Sequence, residues 1–133
     1  LKIFAEALKN LNLKKALIVH SQDGLDEISP YANTDIVELS DGKIKESVLS
    51  PKDLGVKAGN FDNIVGKDPE YNAKKMKEIF QGKDNDFSIA VCLNAAAGLL
   101  VAEKSSSFKE GYEELRKHIL SGKVIHHVTK LVK

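Results

Sequence analysis

Ala16-Leu17-Ile18-Val19 runs straight into His20-Ser21-Gln22-Asp23-Gly24-Leu25-Asp26-Glu27-Ile28-Ser29, and this junction decides how the chain is read. Continuous apolar and partly β-branched residues have the pattern of a strand covered on both faces, as in a parallel sheet. The segment from His20 to Thr34 then loses all core periodicity, with Gly24, Pro30, three carboxylates and two serines, and reads as a loop. In open α/β sheets ligands bind beyond the carboxyl ends of strands, which makes this loop the candidate site. Its candidate metal ligands are Asp26 and Glu27. Adjacent carboxylates repel each other unless both are well solvated or a cation lies between them. Mg²⁺ suits such a pair, because it takes one or two protein carboxylates and fills its octahedron with water and phosphate oxygens. Composition and placement alone still favour an ordinary solvated loop over a metal site.

Upstream, Ile3, Phe4, Ala7, Leu8 and Leu11 share one helical face, and a helix is predicted over residues 1–11. Downstream, Ile36, Val37 and Leu39 make a short strand, Asp41-Gly42 a turn, and Ile44, Val48 and Leu49 the returning arm. Ser50-Pro51-Lys52-Asp53 starts no more than one turn, since Gly55 and Gly59 follow. Asp68-Pro69-Glu70 opens a helix with Ala73, Met76, Ile79 and Phe80 on its apolar face, ending at Gly82. Asp86 is the expected cap of a largely apolar helix from Ile89 to Val101 that crosses the core. Ser107 and Glu110 have capping-box spacing ahead of Tyr112, Leu115 and Ile119, and Gly122 closes that helix. A final helix carries Val124, Val128, Leu131 and Val132. One strand and a hairpin fall short of the roughly five or six strands of an average sheet, so part of the fold is expected outside this chain.

The 133 residues make one domain, and 42% hydrophobic with 29% charged residues exclude disorder. Twenty basic against nineteen acidic side chains give a net charge of +1, too little to drive counterion release from nucleic acid. A single cysteine closes no internal disulfide, and the apolar run from Ile89 to Ala102 is broken by Asn94 and too short to span a bilayer. A cytoplasmic protein is expected, and a chain opening on Leu1 reads as a piece of something longer.

Val19-His20-Ser21-Gln22-Asp23-Gly24-Leu25-Asp26-Glu27-Ile28-Ser29 resembles the V-H-G-x-D-G-L-D-E-I-S segment of anthranilate phosphoribosyltransferases. The resemblance continues in order through Asp68-Pro69-Glu70-Tyr71-Asn72-Ala73, Leu93-Asn94-Ala95-Ala96-Ala97 and Ser121-Gly122-Lys123, covering nearly the whole chain. It reaches only the C-terminal part of that family, whose helical domain and G-T-G-G-D phosphate loop have no counterpart here. The resemblance implies the C-terminal part of the α/β domain of a nucleoside phosphorylase/phosphoribosyltransferase-like fold, with helices packed on a mixed sheet. It also implies a single α/β unit over residues 1–133, lacking the N-terminal half. The implied reaction transfers the phosphoribosyl group of phosphoribosyl pyrophosphate to anthranilate in tryptophan biosynthesis, and pyrophosphate leaves. Asp26 and Glu27 fall on the family's acidic pair, implied to bind Mg²⁺ on the pyrophosphate. No residue matches a general base. The implied partners are phosphoribosyl pyrophosphate, anthranilate and, in the complete enzyme, a second copy joined through the helical domain. Ser21 stands where the family has glycine, and a positive φ there would penalise serine.

Other polar residues have blander readings. His20 is expected to shape its loop through backbone contacts, Asn72 to satisfy backbone near the Asp26 loop, and Asn94 to be a buried hydrogen-bonding group. Cys92 is expected on an apolar stripe with no basic neighbour to stabilise a thiolate, and reads as a small core residue. His126 and His127 point apart on a helix, and Lys14, Lys15, Lys74 and Lys75 read as solvated surface. Two alternatives stay open: a related phosphoribosyl- or nucleoside-transforming enzyme with another acceptor, and a module that turns nothing over by itself.

Overall fold

A computed structural model describes residues 1–57 and 59–131. The elements are α1 (Lys2–Asn10), β1 (Lys15–Ser21), β2 (Thr34–Ser40), β3 (Lys43–Leu49), α2 (Pro69–Phe80), α3 (Asp86–Val101), α4 (Phe108–Leu120) and α5 (Val124–Leu131), with single 3-10 turns at Pro51–Leu54 and Phe61–Ile64. Val132, expected on the last apolar stripe, lies outside the described residues.

The three strands lie in the order β1-β2-β3, antiparallel throughout. The β2–β3 hairpin closes at Ser40↔Lys43 over Asp41 and Gly42, whose φ values of 46° and 77° are those a two-residue turn of matching twist requires. Successive residues Ile36 and Val37 point to opposite faces of β2 and both are buried, so the central strand is covered on both sides. The parallel, fully buried strand expected at Ala16–Val19 is corrected here. β1 pairs antiparallel with β2, Ile18 opposite Val37, and those four residues are only half-buried. Among the described residues no strand lies on its other edge, and an apolar strand with one open edge is only partly covered.

Helix α1 rests on the sheet through Ala5, which is fully buried, while Lys2 Nζ meets Glu46 Oε1 of β3 at 3.1 Å. Its apolar stripe points the other way: Ile3, Phe4 and Leu11 are 85%, 69% and 76% exposed. An alanine contact lets the helix sit close to the strands, and the bulky residues are left outside.

The main core joins α2, α3 and α4 to the loop residue Ile28, through Ile79, Cys92, Leu93, Ala96, Tyr112 and Ile119. Asp68 caps α2 as expected, its side chain accepting from Tyr71 N at 2.8 Å with Pro69 in the first turn. Only the end of the predicted apolar face reaches the core; Ile79 is buried, whereas Ala73 and Met76 are exposed. The cap of α3 is Asn85 rather than Asp86: Asn85 Oδ1 accepts from Ser88 N at 2.9 Å, and Ser88 Oγ accepts from Asn85 N at 3.1 Å. Before α4, Ser107 Oγ accepts from Glu110 N at 3.2 Å, but the Glu110 carboxylate reaches back to Ser106 N rather than Ser107 N. Cys92 is buried as expected. Burial pushes its thiol up, and this outweighs Arg116 of α4, a basic neighbour invisible in sequence. Lys15 is half-buried and paired with Glu103 at 2.5 Å, and Lys75 is half-buried beside Tyr71, Glu78 and Phe87, so neither is free surface. No helix among the described residues is long and apolar enough to cross a membrane.

Candidate metal centre

The loop after β1 is closed by a buried polar network. Ser21, Ser29 and Thr34 are fully buried. Ser21 N donates to Leu25 O at 2.9 Å, and Gln22 N donates to Asn33 O at 2.8 Å. Ser29 Oγ donates to Asp23 Oδ2 at 2.6 Å and accepts from Tyr31 N and Ala32 N, while Ser29 N donates to Thr34 Oγ1 at 3.4 Å. Burial pushes the Asp23 carboxyl up, but hydrogen bonds from Ser21, Ser29 and the Leu25 N–H outweigh it and hold the group below its usual value. Asp23 is therefore spent on the loop itself. Ser21 does not have a positive φ, so serine costs no backbone strain there.

Between these anchors the chain turns outward. Asp26 and Glu27 are both exposed, the Asp26 side chain 97% so, and no group of three or more possible metal-ligating side chains exists among the described residues. Two exposed carboxylates on adjacent residues are a donor set that fits Mg²⁺ with water and phosphate oxygens completing the shell. His20 Nδ1 lies 3.8 Å from Asp26 Oδ1, and the ring is exposed at the end of β1. The expectation that His20 shapes the loop through backbone contacts is thus replaced by a position facing the acidic pair.

Helix α3 reaches the site through Asn94, a half-buried residue that hydrogen-bonds as expected; its partners are Ile28 N and O and Ala90 O. Asn72 does not serve the Asp26 loop. Its Oδ1 accepts from Lys67 N at 3.0 Å and its Nδ2 donates to Lys67 O at 3.2 Å, fastening the segment before α2 to that helix. His126 and His127 are exposed on α5, away from any such cluster. The link between Asn94 and Ile28 spans 66 positions and has no local signal; the paired Asp23 and Ser29 had one, since both are turn-forming side chains in a loop.

The fold and the loop agree with a family of sugar-transferring enzymes. Residues 1–125 match the sequence model of the glycosyl transferase family, a/b domain, and the chain belongs to that family. Within it, the anthranilate phosphoribosyltransferase of Pelagibacter ubique is 56% identical over 131 residues, 98% of this chain and 40% of that protein. The crystal structure of anthranilate phosphoribosyltransferase from Thermus thermophilus superposes with a TM-score of 0.84 at 31% identity, over 95% of this chain and 37% of that one. A variant of the Saccharomyces cerevisiae anthranilate phosphoribosyltransferase, solved with Mg bound, superposes with a TM-score of 0.80 at 25% identity, over 92% and 36%. The chain thus spans about 40% of the length of the relatives it matches.

Proposed function

We propose that this chain carries the Mg²⁺–pyrophosphate end of an anthranilate phosphoribosyltransferase site, with Asp26 and Glu27 as the metal ligands. The observation that carries the reading is the presentation of the two carboxylates. They project into solvent at the carboxyl end of β1 from a loop whose third carboxylate, Asp23, is already hydrogen-bonded to Ser29. When bound, Mg²⁺ supplies charge neutralisation on pyrophosphate as its bond to C1 of the ribose breaks. The chain's own task is to present the pair to solvent at the end of β1, with His20 beside Asp26. No general base is assigned; the amine of anthranilate is nucleophilic without one. A structure of the yeast enzyme in complex with phosphoribosyl pyrophosphate and Mg is consistent with this metal requirement.

The rest of the site, including the acceptor pocket and a phosphate loop, is placed in a portion corresponding to the relatives' remaining length. The open edge of β1 and the outward stripe of α1 are the surfaces on which that portion would pack. We expect the 133 residues alone to be inactive, to lack the dimer contact of complete enzymes, and to work in the cytoplasm. The test follows anthranilate fluorescence with Mg²⁺ and phosphoribosyl pyrophosphate, for this chain alone and mixed with a separately made upstream half of a complete relative. Turnover only on mixing is expected, and turnover by the chain alone would overturn the division of labour. In calorimetry, Asp26→Asn is expected to weaken Mg²⁺–pyrophosphate binding; equal affinity in parent and variant would remove the assignment.

A further inference from the structure

We propose that Asn94 is a positioning residue for the acidic pair, setting the direction in which Glu27 and Asp26 face a bound metal ion. This rests on the metal reading above and names a residue from a different element. Asn94 Oδ1 accepts from Ile28 N at 2.9 Å, and Asn94 Nδ2 donates to Ile28 O and to Ala90 O, both at 3.0 Å. Both amide protons and the carbonyl are thereby used. With one N–H and two carbonyls facing it, the side-chain amide has a single orientation that satisfies all three.

The N–H of Ile28 belongs to the same rigid peptide plane as the carbonyl of Glu27. Holding that N–H against α3 fixes the plane leaving Glu27 and the position of its Cα, which limits the directions its Cα–Cβ bond can take. The Ile28 side chain is buried in the core beside α3, so the residue cannot rotate to compensate. On the other side of the pair, Ser21 N holds Leu25 O at 2.9 Å. Asp26 and Glu27 are the two residues between these fastenings, and they are exposed while their neighbours are tied. Groups that orient metal ligands without touching the metal characteristically change affinity when removed.

The experiment uses Mn²⁺ with inorganic pyrophosphate, read as the loss of the free-ion electron paramagnetic resonance signal, on the parent chain and three variants. Asp26→Asn is expected to weaken binding at least as much as any other variant. Asn94→Ala is expected to weaken it about ten- to hundredfold, with the stoichiometry unchanged. Ile119→Val, which loosens the same core from α4, is expected to bind as the parent does. Hydrogen exchange on the unmodified chain gives a readout independent of any variant: the Ile28 amide is expected to exchange slowly, and those of Asp26 and Glu27 fast. Absence of binding by the parent, or binding by Asp26→Asn equal to it, would overturn the metal reading and the proposal with it. Parental binding matched by Asn94→Ala, equal weakening in Asn94→Ala and Ile119→Val, or a fast Ile28 amide would overturn the role of Asn94 alone.

Discussion

Tyr31 illustrates what a single side chain adds to the site loop. Its ring abuts Gly59, where an added Cβ would fall 2.3 Å from a ring carbon. Its hydroxyl is buried beside Asp86 and Asn63 without a well-formed hydrogen bond to either, and burial together with the neighbouring Asp86 carboxylate pushes the phenol up to about 12 from an ordinary 10.0. Between those values the unfolded chain releases the proton and the native one keeps it. The associated stability is full below pH 10 and is lost as pH rises towards about 12. Tyr31→Phe removes a buried hydroxyl that makes no well-formed hydrogen bond, so its melting temperature near neutral pH is expected to equal or exceed the parent's. Its urea midpoint is also expected to fall less steeply above pH 10, with some slope left by Tyr112, which burial shifts the same way. Urea titrations at stepped pH, with tyrosinate absorbance followed in parallel, check both. Residue identity raised Asp26 and Glu27 as a candidate pair, but type and placement alone favoured a solvated loop, and the metal reading came from the resemblance of the whole segment to a known family. Residue identity could not mark His20 as facing Asp26, since that depends on how the loop folds back.

At the scale of elements, caps and turns were legible where the signal is local. Asp68-Pro69 and Asp41-Gly42 each act within four residues, and both form as read. The choice of Asn85 over Asp86 as the α3 cap was less so, because either side chain can accept from the first turn. Burial of helix faces was the least legible, since periodicity gives a stripe but not what lies opposite it; α1 and the first half of α2 carry apolar residues that the rest of this chain does not cover. The junction of α2 and α4 shows a contact that sequence could not supply. Gly82 has φ +94°, and an added Cβ would fall 2.8 Å from Leu120 O and 3.1 Å from Gly122 N. Gly82→Ala therefore meets both a left-handed backbone and another chain segment, and about 1–3 kcal/mol of stability is expected to be lost. Chemical denaturation of the variant measures it. A loss below a few tenths of a kcal/mol would mean that the two helix ends separate at no cost. Asn85→Ala is expected to cost about 1 kcal/mol by the same assay, the usual value of a lost cap.

For the whole molecule, the exposed stripe of α1 and the open edge of β1 lie on elements that touch each other. A bare strand edge presents unpaired N–H and C=O groups that template association, and an apolar helix face beside it adds a hydrophobic drive. The 133 residues alone are thus expected to self-associate in a concentration-dependent way. Phe4→Glu tests the cause. Because Phe4 is 69% exposed, the change removes little packing within the chain and should leave the unfolding free energy from urea titration within about 0.5 kcal/mol of the parent's, as for most surface substitutions. Sedimentation velocity should then find the variant monomeric at concentrations where the parent is not. In the mixing experiment the same variant should need more of the upstream half to reach equal turnover, because that portion would pack on the surface it charges. If Phe4→Glu disperses the chain and leaves complementation untouched, α1 is an aggregation face only, and the upstream portion must pack on the edge of β1 without it.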